Sequence, residues 1–132
     1  MIYTDEQFVQ AFTDLSLPAE VFNHLSHVRL AWLYLQQGDF TQQAARLAQD
    51  IQRYATHLGA ADKFHATLTY ALARMIHQRQ QQGQYDSWQA FILEHAELVS
   101  DAQALVANHY SAELLASAEA KARVLNPDLA PL

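Results

Sequence analysis

Residues 19–37 read AEVFNHLSHVRLAWLYLQQ, a stretch apolar almost all the way round and free of glycine and proline. At about 100° per residue, Val21, Leu25, Val28, Trp32 and Leu35 fall on one stripe. Glu20, His24, His27, Ala31 and Tyr34 form a second stripe beside it, with Phe22 and Leu33 on the far side. A helix that is apolar around its circumference is usually buried between several neighbours. The pattern predicts one long, buried central helix over 19–37 whose histidines are at least partly enclosed. An enclosed imidazole needs partners for its polar nitrogens.

Working outward, Thr4-Asp5-Glu6-Gln7 has the capping-box pattern and opens a short helix that buries Phe8, Phe12 and Leu15. Ser16-Leu17-Pro18 breaks that helix, and Pro18 suits the first turn of the central one. On the other side, Gly38 ends the central helix and Asp39 caps a third over 40–58, amphipathic through Ala44, Leu47, Ala48, Ile51, Ala55 and Leu58. Gly59 is its left-handed cap. A fourth helix over 61–82 carries Phe64, Leu68, Leu72, Met75 and Ile76 on its core face, with His65 and Thr69 at the edge of that face.

Asp86 can cap a fifth helix carrying Trp88, Phe91 and Ile92, and Ser100-Asp101-Ala102-Gln103 opens a sixth with Leu105 and Val106. Ser111 caps a seventh with Leu114, Leu115 and Ala118, which ends at Asn126-Pro127. No strand alternation, internal repeat or linker interrupts this pattern. The expected fold class is all-α, a single compact bundle of six or seven helices around 19–37, with residues 1–132 forming one domain.

Composition agrees. The 132 residues are 51% hydrophobic with only three glycines and three prolines, which favours helix over sheet and order over disorder. No apolar run reaches the roughly 18 residues of a membrane span, and MIYTDEQF has neither the basic nor the apolar region of a signal peptide. The formal charge is −6 and the eight Lys and Arg are scattered, so no nucleic-acid surface is expected. The lack of cysteine removes thiol catalysis and thiolate metal sites, and fits a cytoplasmic protein.

Chemistry is suggested mainly by three histidines. On a helix, His24 and His27 would sit about 60° apart and about 4.5 Å apart along the axis. His65, from another helix, can add a third nitrogen. Three histidines with an open position suit Zn²⁺, and two with Glu20 would resemble an Fe(II) facial triad. The expected metal is therefore a divalent ion, with Zn, Fe, Mn and Ni all open. The motif is not H-E-x-x-H, and no His-Asp dipeptide is present.

The second reading is metal-free. His24 or His65, with Tyr34, Lys63 and Thr69, would bind and polarise a small polar ligand, with room for acid–base catalysis. The third is an interaction or regulatory module in which the histidines are structural. A homodimer is one form of it, and the aromatic-rich stretch 85–91 is its candidate patch.

His57, His77, His95 and His109 fall near helix ends or on polar faces and read as structural. Trp32 and Trp88 read as core anchors, and Arg29 as one half of a surface ion pair. Glycine-rich phosphate loops and nucleophile elbows are absent.

Phe22-x-His24-x-x-His27-Val28-x-x-Ala31-Trp32-x-Tyr34-Leu35 resembles a motif of a group of small, mostly uncharacterised bacterial helical proteins. Lys63-Phe64-His65-x-Thr67-Leu68-Thr69 resembles their second motif, K-[FY]-H-x-T-[IL]-T, in which Glu often stands where this chain has Ala66. His109-Tyr110-Ser111-x-Glu113-Leu114-Leu115 and the final Asn126-Pro127-Asp128-Leu129-x-Pro131-Leu132 are similar as well. The resemblance covers most of the chain. It implies a shared helical fold, draws attention to His24, His27 and His65, and implies no particular reaction.

Overall fold

Thr4 starts the first helix in the way its sequence predicts. In the computed structural model, which describes residues 3–132, its hydroxyl accepts the Gln7 N–H at 3.1 Å. The Gln7 side chain accepts the Thr4 N–H at 3.0 Å in return. Helix α1 (Asp5–Thr13) buries Phe8 and Phe12. Leu15, expected beside them, lies at φ 67 and is only half-buried. The chain reverses there. Ser16 and Leu17 both donate to the Ala11 carbonyl, at 2.9 and 3.0 Å, so Leu17 enters the core in place of Leu15.

The long stretch 19–37 is not one helix. A 3₁₀ turn covers Ala19–Val21, and α2 begins afresh at His24–Leu35. Asn23 causes the break. Its side chain accepts the Ser26 N–H at 3.0 Å, which makes it an N-cap, and the Ser26 hydroxyl reaches back to the Val21 carbonyl at 2.7 Å. Asn is among the strongest N-caps, and the local bond outweighs the continuous apolar pattern. Helix α2 still buries Val28, Leu30, Ala31, Trp32, Tyr34 and Leu35.

Asp39 caps α3 (Phe40–His57) through the Gln42 N–H at 3.0 Å. Helix α3 packs on α2 and α1 and buries Leu47, Ile51 and Tyr54, whose hydroxyl donates to the Leu17 carbonyl at 2.7 Å. Leu58, expected in the core, is exposed past the helix end, and Gly59 takes the left-handed conformation at φ 73. A second 3₁₀ turn, Ala61–Lys63, packs back on α3. These elements belong to the first of two compact units, residues 1–64 and 65–132.

The second unit opens with His65 as the N-cap of α4 (Ala66–Gln80), so this helix starts later than the pattern of 61–82 predicts. Thr67 is fully buried at 0% exposure. Its hydroxyl donates to the Arg123 carbonyl at 2.8 Å and accepts the Leu125 N–H at 3.1 Å. That bond pair turns Leu68, expected in the core, out to 38% exposure.

Ser87, not Asp86, caps α5 (Trp88–Glu94). Then follow α6 (Glu97–Ser100), α7 (Ala102–Ala107), α8 (Ala112–Leu115) and α9 (Ala118–Ala122). Asp101 stands before α7 with no side-chain capping bond, whereas Ser111 and Ser117 each cap a short helix. Helix α4 packs against α7 and α9.

Among the described residues all regular structure is helical, with nine α-helices and two 3₁₀ turns. The all-α class holds. The helices outnumber the expected six or seven because α6 carries no sequence signal and Ser117 divides the seventh in two. Among the described residues, no helix is long and apolar enough to cross a membrane.

Candidate functional site

The histidines that the sequence singles out all stand in the first turns of helices. His24 is the first residue of α2 and is exposed. His27 lies one turn on, stacked on Phe22 with ring centroids 5.5 Å apart. Its Nε2 is buried without a hydrogen-bond partner. Burial, then the charge of His24, pulls its pKa down to about 4, so the ring is neutral at ordinary pH.

His65 is fully engaged. Its Nδ1 accepts the Leu68 N–H at 3.1 Å, which leaves the proton on Nε2, and Nε2–H donates to the Leu115 carbonyl at 2.8 Å. Either ring nitrogen could reach a metal only by giving up one of these bonds.

The other expected ligand contacts are spread out. Tyr34 lies ten residues after His24 on α2, about 15 Å along the axis at 1.5 Å per residue. Its hydroxyl donates to Asp50 at 2.6 Å. Burial, with that bond and the Asp50 charge, holds the phenol well above its usual value of 10.0. Lys63 is exposed in the second 3₁₀ turn. Thr69 is buried one turn into α4, its N–H on the His65 carbonyl at 3.0 Å. Arg29 forms the expected ion pair, with Asp5 at 2.7 Å, and also lies over the Phe8 ring. Trp32, Trp88 and Phe91 are buried, so the aromatics at 88 and 91 are core rather than an exposed patch.

A histidine-lined cleft does exist, in the second unit, and it uses histidines that read as structural in the sequence. It has a volume of about 390 Å³ and its walls include Arg79, His95, Glu97, Asn108, His109 and Leu132. His95 is buried, at 8% exposure, and packs on Phe91 with centroids 5.0 Å apart. Its Nε2 shares a 2.7 Å hydrogen bond with the Tyr85 hydroxyl, and its Nδ1 lies 3.7 Å from the Glu97 carboxylate.

Glu97 in turn accepts Arg79 Nε at 2.9 Å. Burial pushes the Glu97 carboxyl up. A backbone hydrogen bond, Arg79 and His95 outweigh it and hold the group below its usual 4.5. Burial, then Glu94, raises the Tyr85 phenol above 10.0.

His109 is pinned from the opposite direction. Its Nδ1–H donates to the Ala130 carbonyl at 3.1 Å, and its own carbonyl accepts the Leu129 N–H at 3.0 Å. Asp128, on the same strap, takes the Ser111 N–H at 2.8 Å and the Ser111 hydroxyl at 2.6 Å. The final residues thus form one side of the cleft.

Sequence spacing does not reveal this set. His95 lies past the end of α5 and His109 past the end of α7, in irregular backbone that no helical period describes. The usable signal is chemical: a histidine two residues before a glutamate, and another that opens the His109-Tyr110-Ser111 segment of the resemblance.

Among the described residues, no three His, Asp or Glu side chains are grouped to hold a metal ion. No family model, no curated protein and no solved structure matches the chain.

Proposed function

We propose that this chain binds a small polar molecule in the cleft of its second unit. The carrying observation is the fixed polar wall in which His95, Glu97 and Arg79 hold one another in sequence, with Tyr85 bonded to His95. A preorganised set of polar groups beside a concave opening is the usual construction of a small-ligand site. Asn108 and Gln82 add uncharged amides, and Met75 and Leu105 add apolar surface.

Arg79 and Glu97 neutralise each other, which favours a ligand with several hydrogen-bonding groups over a highly charged one. The histidines at 24, 27 and 65 then act on packing and capping. A metal at these three positions is the weaker reading because both nitrogens of His65 are engaged. A cytoplasmic location and one domain over residues 1–132 go with this proposal.

The test is a thermal-shift screen of small polar compounds against the full chain, repeated on an Asn108→Ala/Gln82→Ala variant. Both side chains are exposed and line the cleft, so their loss leaves the fold in place. At a ligand concentration of about 100 times Kd the stabilisation is about 2.7 kcal/mol, a clear rise in melting temperature. The proposal requires a compound that stabilises the parent and not the variant.

An interaction module is the second reading. Leu93, on α5, is 83% exposed and is the observation that favours it. It gains if no compound binds and light scattering shows concentration-dependent association that Leu93→Lys abolishes.

A further inference from the structure

The first unit holds a second cleft, of about 480 Å³, walled by α1, the end of α2 and the start of α3. Gln43 and Arg46 lie on it, three residues apart on α3 and therefore on one face. The Gln43 side-chain oxygen is buried with no hydrogen-bond partner. Leaving such a group unpaired costs about 1–3 kcal/mol, and exchanging the amide's oxygen and nitrogen only places an unpaired donor there instead.

One turn away, the Arg46 guanidinium lies over the Tyr34 ring, 5.7 Å from its centroid. Among the described residues it forms no ion pair. Tyr34 is held in place beneath it by its bond to Asp50. Asp5, at the cleft wall, is already neutralised by Arg29, while Glu6 is exposed beside it. Val9 and Leu33 supply apolar surface between these polar groups.

We propose that this cleft is a binding site for a free α-amino acid. The carboxylate meets the Arg46 guanidinium, which presents paired donors suited to a planar anion. The ammonium donates to the Gln43 oxygen once that half-buried side chain turns outward into the cleft, with the Glu6 charge nearby. An aliphatic side chain covers Val9 and Leu33. The site is separate from the cleft of the second unit and uses none of its residues.

The experiment is isothermal titration of the full chain with L-leucine, L-glutamine and glycine. Leucinamide, which lacks the carboxylate, and 4-methylpentanoate, which lacks the ammonium, serve as comparators. L-Leucine is expected to bind saturably, and each comparator to bind at least about tenfold more weakly, since each leaves one charged group of the site unpaired. Arg46→Ala should weaken L-leucine about tenfold or more while lowering the urea midpoint only slightly, because the exposed guanidinium forms no ion pair among the described residues and loses only its contact with the Tyr34 ring. Gln43→Leu should weaken binding while keeping or raising stability, a split that a purely structural glutamine would not show. Failure of all three amino acids to bind, or binding that Arg46→Ala leaves intact, overturns the proposal. Neither result bears on the cleft of the second unit, whose test uses Asn108 and Gln82.

Discussion

His65 Nε2 donates to the carbonyl oxygen of Leu115, 2.8 Å away and 50 residues further along the chain. The same ring caps α4 through the Leu68 N–H. One imidazole therefore fixes where α4 begins and ties that point to the end of α8. His65→Ala removes both bonds and is expected to lower the stability of the second unit by about 2 kcal/mol, from a lost cap and a lost long-range bond. His65→Asn keeps the cap alone and should recover part of that loss. Urea unfolding followed by circular dichroism measures both. If the midpoint of His65→Ala equals that of the parent, the two bonds carry no net stability.

Thr67 offers a sharper case because its replacement can be isosteric. Thr67→Val keeps the shape, but it strips the partner from the Arg123 carbonyl and the Leu125 N–H beside a fully buried side chain. Each orphaned group costs on the order of 1 kcal/mol or more. The expected loss is about 2 kcal/mol, together with faster amide exchange at Leu125 than in the parent. An unchanged Leu125 exchange rate would show that the residues after α9 are held by something other than Thr67.

These two residues show what the sequence conveys and what it does not. Helical periodicity locates the helical regions and the all-α class, because burial repeats at helical spacing within each, as at Phe8 and Phe12, at Leu47, Ile51 and Tyr54, and at Leu72, Met75 and Ile76. Periodicity is blind to where a helix starts. At Asn23 and His65 a side chain bonds a backbone N–H and sets the boundary several residues inside the apolar pattern. Asn23 is a recognisable cap type, whereas a histidine cap has no common signature.

The candidate cleft is less legible still. Its walls come from residues on α4, from the turns after α5 and α7, and from the final strap, and only tertiary packing gathers them. Tyr34, a ligand contact by its sequence, does line a cleft, but one in the first unit, far along α2 from His24.

His27 makes the stability of the first unit depend on pH. Its folded pKa is about 4, against 6.5 for the free side chain. Above pH 6.5 the ring is neutral in both states and contributes no pH dependence. As pH falls from 6.5 towards 4, the unfolded chain takes up the proton first, so stability falls. Below the folded pKa both states are protonated and the loss levels off at about 3 kcal/mol, since each tenfold difference in proton affinity is worth about 1.4 kcal/mol. His27→Leu removes the titration and the unpaired nitrogen together. Its urea midpoint, relative to the parent, is expected to rise as the pH is lowered through this window. A difference that stays constant with pH would show that His27 is already solvated in the folded chain.

The spacing of His24 and His27 invites a metal, and the bonds already made by His65 oppose one. His24 and His27 lie one turn apart on α2, but a third ligand from His65 would have to abandon either its cap or its bond to Leu115. Giving up such a bond costs about 1–3 kcal/mol when it leaves a buried group unpaired, and His27 would also have to leave its stack on Phe22 to bring Nε2 outward. Protein purified without a polyhistidine tag is therefore expected to hold Zn, Fe, Mn or Ni at well below one equivalent. Added Zn²⁺ should bind no more tightly to the parent than to a His24→Ala/His27→Ala variant. Elemental analysis and a competition titration with a chelating dye read both. Stoichiometric metal that disappears in the double variant would reverse this assignment and make the start of α2 the principal site of the protein.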